Sequence, residues 1–527
     1  IAPSAEGLAT ILVVSPDGRR MSMSPGNRPR AALQSALQQL RPQLDRGDSL
    51  GLIGVGDGYL LNHLAHHPPA LHLGRQQLLH LIEPEPKLLL VAMMIHDLRP
   101  ALLAGRVFWW IGRDWDQALR SAVLADCGIP TPASTVTQCV DRDDANARYT
   151  AVGQAVIEQD RKVAQRVRQY YQSLPPDHFL RAARRQLGRP SRVLLLTTRY
   201  STVLQYSTRD SAEALEQLGF ETLTVIEPSE TRATTRASMR QQLADFKPDL
   251  VFQIDHLRSE HVDVFPAELP FICWVQDHLP NLTHREAGAS VGSRDFVLSG
   301  MKSMYVGRYG YPVRQCIEIS KLTRVPARPA GWDCDGDDIS YVSNASQHPS
   351  VLRERLTAEA GAAGTVIGAC CDAIDEIYAR YATLHTAADV GDVVRATLDR
   401  LRVRPTGELQ PTIDLLFDRY NNTLYRQQAL SWAAEIAERR GLRLSLYGSG
   451  WESHPTLARY ARGPVQYGSA LEELTRRSRL NLQIVPFYCM HQRLLDGLVA
   501  GGVFLARDPP RARALPALAG FLHRHPP

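Results

Sequence analysis

Along the chain, short apolar runs of strand length alternate with longer stretches whose apolar positions recur at helical spacing. In residues 1–148 the runs 51–55, 78–82 and 107–111 read as strands, with a helix over 87–103 between two of them. Such alternation predicts α/β structure around a mostly parallel sheet. Residues 149–187 are polar, Arg- and Gln-rich and helical in period, so 149–190 reads as a helical connector following a boundary near 148. A second unit, 191–335, opens on the apolar run 193–196, followed by a polar loop over 197–208 and a helix around 211–218. The strand 222–226, a helix leading to Pro248, and the strands 250–253 and 271–275 complete it. An acidic, glycine-containing linker, 331–338, leads into a third unit, 336–527, whose first strand is 339–342. Its middle, about 349–440, is helical; strands at 444–447, 465–467, 482–485 and 503–506 and a helix at 471–477 follow. No repeat of fixed period is present. The pattern therefore predicts three Rossmann-like units in succession.

Composition narrows the class. The 527 residues carry 60 Lys and Arg against 55 Asp and Glu, and the basic residues are interspersed with acids along the whole length. That spread argues against nucleic acid as a partner. The eight cysteines show neither a CxxC pair nor Cys/His ligand spacing, so no disulfide framework or zinc site is expected, and a reducing cytoplasm is the natural setting. The longest apolar run, 88–94, falls far short of the roughly 20 residues a transmembrane helix needs. The chain begins with Ile rather than Met, which leaves room for an upstream segment.

In the third unit the strand 444–447 runs directly into Gly448, Ser449, Gly450 and Trp451. Glycines there allow a tight turn and a close approach of a ligand to the backbone, although turns of no function use the same residues. Further on, His491, Arg493 and Asp496 open a predicted helix that ends at Gly501 before the last apolar strand. A helix N-terminus favours a diphosphate, and an Arg there adds a charge-assisted contact. An acid three residues along lies on the same face, where it can accept from ribose hydroxyls; an ordinary solvated Arg and Asp pair has the same spacing. Gly501 also fits a helix C-cap.

The segment 446–506, with its strand, Gly-x-Gly-Trp turn, Arg-x-x-acid helix and Gly-Gly end before a strand, resembles the C-terminal domain of CgeB-type (spore-maturation type) GT-B glycosyltransferases. The resemblance implies a GT-B pair formed by the second and third units, and a nucleotide-sugar donor contacted by Gly448, Ser449, Gly450, Trp451, His491, Arg493, Asp496 and Gly501. The family acid is usually Glu; here it is Asp496. It implies transfer to a hydroxyl of a protein or polysaccharide acceptor, with no cofactor and no metal at an Asp-x-Asp motif. Asp333, Asp335, Asp337 and Asp338 satisfy such a motif by spacing, but they stand in the linker and are read as solvated acids. The tail 507–527, dense in Pro and Arg, departs from the family pattern and is read as a truncation or frame change.

On the acceptor side, Asp277 and His278 follow the strand 271–275, at the end of a parallel strand where α/β folds place ligands. An Asp beside a His suits deprotonation of an acceptor hydroxyl, while a capped turn with a satisfied polar His fits the same residues. Asp255 and His256, ending the preceding strand, form a second, weaker pair. In the first unit, Gly54, Gly56 and Gly58 after one strand and Glu83 at the end of the next form the pattern that holds an adenosine ribose. Methyl transfer from S-adenosylmethionine is therefore a rival reading, and a non-catalytic scaffold is another. Residues 82–115 resemble the Rossmann core of motility-associated (Maf-type) flagellin-modifying proteins, which implies a structural or acceptor-recognition module instead.

Overall fold

The computed structural model describes residues 1–14, 17–69, 71, 75–125, 129–138, 141–199, 202–229, 232–319, 321–323, 335–380, 387–405, 409–486 and 491–507. By its contacts the chain divides into two compact units, Ile1–Ile319 and Ser320–Pro527. Two short antiparallel hairpins come first, β1 (Ala2–Pro3) with β2 (Ala9–Thr10) and β3 (Leu12–Val14) with β4 (Arg20–Ser22).

The first parallel sheet comprises β5 (Leu50–Ile53), β6 (Leu79–Glu83), β7 (Val107–Ile111) and β8 (Ser134–Thr137), in the order β7-β6-β5-β8. Its strand order reverses between β5 and β8. The expected helix over 87–103 is two helices, Pro86–Ile95 and Arg99–Leu103, because Pro100 starts a new first turn and disfavours helical backbone just before it.

The helix Arg142–Gln172 lies in two cores at once. Ala145, Val152 and Val156 pack beneath the first sheet with Trp115 and Leu119, while Val163, Val167 and Tyr171 pack beneath the second. Those six positions are spaced by sevens and fours, which keeps them on one face of a helix whose remaining positions are polar. Each fully buried aliphatic side chain contributes about 1.5–3 kcal/mol. The helix therefore fastens the two sheets of this unit together.

The second sheet holds β9 (Arg192–Thr197), β10 (Glu221–Ile226), β11 (Leu250–Ile254), β12 (Phe271–Trp274), β13 (Asp295–Ser299) and β14 (Cys316–Glu318), all parallel, in the order β10-β9-β11-β12-β13-β14. Alternation along β9 divides its side chains between the faces. Val193 and Leu195 meet Ala212 of the helix Thr202–Gln217, whereas Leu194 and Leu196 join Met239 and Leu243 on the other side. The polar loop expected over 197–208 is corrected by that helix. Leu204, Thr208 and Ala212 are buried four residues apart on its inner face, a stripe the many polar residues between them obscure.

In the second compact unit, β15 (Ile339–Val342), β16 (Leu444–Tyr447), β17 (Ala461–Gly463), β18 (Asn481–Gln483) and β19 (Phe504–Ala506) form a parallel sheet in the order β17-β16-β15-β18-β19. The strand expected at 465–467 is instead 461–463. Pro464 has no N–H to donate, so pairing with β16 ends before it. Between β15 and β16 stand the helices Pro349–Glu359, Gly364–Arg380, Ala387–Leu401, Leu409–Leu415 and Asn421–Arg440. Leu352, Leu356, Ile367, Ile374, Leu416 and Leu430 from this insertion bury against Tyr341, Leu444 and Leu446 of the sheet.

The molecule thus carries three Rossmann-like units, and the second and third are the two kinds of half that a GT-B chain contains. No helix among the described residues is long and apolar enough to cross a membrane.

Candidate functional site

In parallel α/β sheets, ligands collect outside the carboxyl ends of the strands where the strand order reverses. In the third sheet that point lies between β15 and β18. Tyr341 of β15 is fully buried, and the guanidinium groups of Arg493 and Arg426 lie 5.4 and 6.0 Å from its ring centroid. Arg426 also donates to the Asn344 carbonyl at 3.2 Å and to Ser346 Oγ at 2.6 Å, so it holds the loop that leaves β15. Arg493 opens the helix Gln492–Val499, whose N-cap is His491; His491 Nδ1 accepts the Arg493 backbone N–H at 3.2 Å. Burial, followed by the charges of Arg493, Lys321 and Arg426, pushes the His491 imidazole down to about 3. A neutral His therefore caps this helix, while two guanidinium groups stand against the Tyr341 ring.

The other residues expected to contact a donor divide into two groups. Gly448, at φ 133°, lets the turn approach β15 so closely that a Cβ there would lie 2.2 Å from the Ser343 carbonyl oxygen. Ser449 O accepts the Ala345 N–H at 2.9 Å, Gly450 has φ 86°, and buried Trp451 donates Nε1–H to Ser343 O at 2.7 Å. These four residues clamp the ends of β15 and β16 together. Asp496 Oδ1 accepts from Thr323 Oγ1 at 2.5 Å and from Gln492 Nε2 at 2.7 Å. Gly501, at φ 88°, follows the opposite end of the helix from His491, where its N–H reaches Leu498 O at 3.0 Å.

In the second sheet the order reverses between β9 and β11. Asp255, directly after β11, is fully buried with a left-handed φ of 58°. Its Oδ1 accepts the N–H groups of Gln276 and Asp277 at 2.6 and 3.1 Å, and its Oδ2 has no hydrogen-bond partner among the described residues. Burial above all pushes its carboxyl up to about 7, the Asp277 charge adding to this and the two N–H groups opposing it. His256 Nδ1 lies 2.7 Å from Glu260 Oε2, while Glu260 Oε1 accepts from Leu257 N at 2.7 Å and Asn281 Nδ2 at 3.0 Å. Asp277 is exposed at the surface. His278 places Nδ1 2.9 Å from Tyr305 Oη and Nε2 2.8 Å from Met301 Sδ, its ring stacked on Tyr305. Glu227, just beyond β10, holds Arg75 through two bonds and also accepts from Thr198 and the Arg199 N–H.

In the first sheet the glycines after β5 all have positive φ, but side chains fill the space they open. A Cβ on Gly56 would lie 2.8 Å from Gln138 Oε1, and one on Gly58 2.7 Å from the His96 ring. The Gly54 N–H donates to Ile82 O at 2.6 Å. Buried Glu83 accepts Val55 N at 2.7 Å and Glu85 N at 2.9 Å, one on each oxygen, and burial raises its carboxyl against those two bonds. Asp57 is taken up by Thr10, Ser24 and the Ile11 N–H, which draws the N-terminal hairpins over the glycine loop.

Sequence reasoning missed Glu260, Asn281, Glu227 and Arg426. Glu227 carries the same signal as Glu83, an acid closing a strand, and was findable. Arg426 sits mid-helix with no local mark. Of the linker acids, Asp335 pairs with Arg477, Asp337 accepts from Ser445 and Tyr447, and Asp338 accepts from the Arg443 N–H and Arg479. Asp333 lies outside the described residues. No cluster of three or more His, Cys, Asp or Glu with metal-ligand geometry occurs among those described. In comparisons with known proteins, no family model, no curated protein and no solved structure matches the chain significantly.

Proposed function

We propose that this chain is a glycosyltransferase that moves a sugar from a nucleotide-diphosphate donor to a hydroxyl of a protein or polysaccharide. The observation that carries the reading is that the Arg493 and Arg426 guanidinium groups both lie against Tyr341 at the reversal point of the third sheet, Arg493 in the first turn of a helix. Leaving-group charge develops on a diphosphate as its bond to the anomeric carbon breaks. Fixed guanidinium groups and a helix N-terminus stabilise that charge without reorganising. The resemblance of 446–506 to CgeB-type enzymes supports the same reading.

Calorimetric titration with UDP- and GDP-sugars tests the proposal. Arg493→Ala removes a charge-assisted contact and is expected to weaken donor binding roughly ten- to hundredfold while leaving the fold intact. Donor affinity equal to that of the wild type would remove the basis for the site.

A further inference from the structure

We infer that a cavity in the helical insertion of the second compact unit is a binding site for a neutral sugar unit. The inference does not rest on the glycosyl-transfer reading, and its residues are distinct from Arg426, Arg493 and Tyr341. The cavity has a volume of about 410 Å³, and Arg353, Asp375, Tyr378, Tyr420, Gln427 and Gln428 line it. They come from stretches of the insertion that lie far apart in sequence. The size falls in the range of roughly 300–1,000 Å³ that small-molecule sites occupy. Here the insertion also departs from regular helix. A single π turn, Leu416–Tyr420, leads into the helix Asn421–Arg440, and such turns occur frequently at functional sites.

The charges in the lining decide against an anionic ligand. Arg353 Nη1 donates to Asp375 Oδ2 at 3.1 Å, and Arg353 Nη2 lies 2.5 Å from Asp372 Oδ1. Its guanidinium is thus matched by two carboxylates, and a phosphate would meet repulsion as well as attraction. The side chains of Arg353 and Asp375 are each 36% exposed, so a strong donor and a strong acceptor stand side by side within reach of a ligand. A hydroxyl donates and accepts at once, and neighbouring hydroxyls of a sugar ring can engage both members of such a pair.

Gln428 adds an open acceptor. Its Nε2 donates to Tyr378 O at 3.3 Å, and since a carbonyl only accepts, that bond fixes which end of the amide is Oε1. Oε1 is buried and has no hydrogen-bond partner among the described residues. A buried acceptor left unpaired destabilises the free protein, and a ligand O–H offsets that loss. The hydroxyls of both tyrosines are already engaged. Tyr378 Oη donates to Asn421 Oδ1 and Tyr420 Oη to Asp375 Oδ1, which holds the two rings in place as apolar wall for the C–H groups of a sugar.

The test uses the full chain and free saccharides: glucose, galactose, mannose and N-acetylglucosamine with their methyl glycosides, followed by saturation-transfer NMR and calorimetry. At least one is expected to bind. Gln428→Leu is expected to weaken it about five- to tenfold, the worth of one hydrogen bond. Leu424→Trp fills the cavity from a half-buried apolar residue of its lining and is expected to abolish binding. A cooperative melt shows that each variant is folded, and where one is not, the other decides. Affinity within about twofold of wild type in either folded variant overturns the assignment. So does a wild type that binds none of the saccharides at millimolar concentration, or one that binds free uridine or guanosine there and no saccharide. Competition then separates two sources of the sugar, both in keeping with the site. Displacement of the saccharide by a UDP- or GDP-sugar but not by UDP or GDP assigns the cavity to the donor's own sugar, whereas simultaneous binding assigns it to a sugar of the acceptor. A wild type that binds saccharide but no nucleotide-sugar overturns the transfer reading and leaves the sugar site standing.

Discussion

Asp249 and Asp255 flank the same strand, β11, and burial acts on both, yet their surroundings give them opposite electrostatics. Asp249 receives two N–H groups of Arg189 at 2.8 and 2.9 Å, the Arg192 N–H at 2.8 Å, and stands 2.8 Å from His178 Nε2. Burial alone would raise its carboxyl, but these donors outweigh it and hold it below the ordinary range. Its stabilising contribution is therefore complete above the unfolded pKa near 3.9 and is lost as pH falls through the lower folded value. Asp249→Ala leaves buried donors without an anion and is expected to cost about 3–5 kcal/mol at pH 7. Guanidinium denaturation at pH 7 and pH 3 checks this; the gap between wild type and variant must narrow at the lower pH. Asp255 runs the other way. Its folded pKa near 7 exceeds the unfolded value, so the protein loses stability as pH rises toward and through that folded value. Asp255→Asn removes the ionisation, and at pH 8 it is expected to be more stable than wild type by about 1–4 kcal/mol. A variant less stable than wild type at pH 8 would show that burial of the charge is not what perturbs this group. Neither partner set was legible in the sequence. A residue number at a strand end says where a carboxylate stands but not which N–H groups reach it.

The Gly448 turn shows how much of an element can be read ahead and where reading stops. A strand followed by Gly-Ser-Gly-Trp announces a tight turn, and the turn is there. Its tightness, however, serves the approach of β16 to β15, since Ser343 occupies the space beside Gly448. Gly448→Ala would meet backbone at 2.2 Å and hold a strained φ of 133°, so a loss of more than about 3 kcal/mol is expected. Gly441, the C-cap of the helix Asn421–Arg440, has φ 62° and open space around it, and Gly441→Ala is expected to cost only about 1 kcal/mol. Equal losses in the two variants, measured by chemical denaturation, would show that φ alone sets the cost and the close approach contributes nothing. Strands with long apolar runs, such as β9 and β11, were legible for the reason that they are buried on both faces. β8, β13 and β14 were not, because they are short and mix Ser, Asp or Glu with their apolar residues. Arg426 was hidden for a different reason. Its hydrogen-bond partners lie in the loop after β15, 80 or more residues away in sequence, which only the folded insertion brings to it.

At the scale of the molecule, three parallel sheets each offer a reversal point, and they differ in what occupies it. Glycine loops look alike in sequence, so the first unit could not be told from a nucleotide site by pattern. In the fold, Gln138, His96 and the N-terminal hairpins fill the loop after β5, and Glu83 spends both oxygens on backbone N–H groups. The third sheet instead presents Arg426 and Arg493 against Tyr341. A ligand that binds only the native state stabilises the unit that holds its site, by about 2.7 kcal/mol at a hundredfold excess over Kd. Calorimetric melting of a chain with two compact units therefore separates the readings. A UDP- or GDP-sugar is expected to raise the transition of Ser320–Pro527, and Arg493→Ala to abolish that rise. S-adenosylmethionine is expected to leave both transitions where they are, because accommodating it in the first sheet requires displacing three bonds to Asp57 and two to Glu83. A rise in the transition of Ile1–Ile319 with S-adenosylmethionine would reverse the assignment, making the first sheet the ligand site and its filled glycine loop a closed state that the cofactor opens.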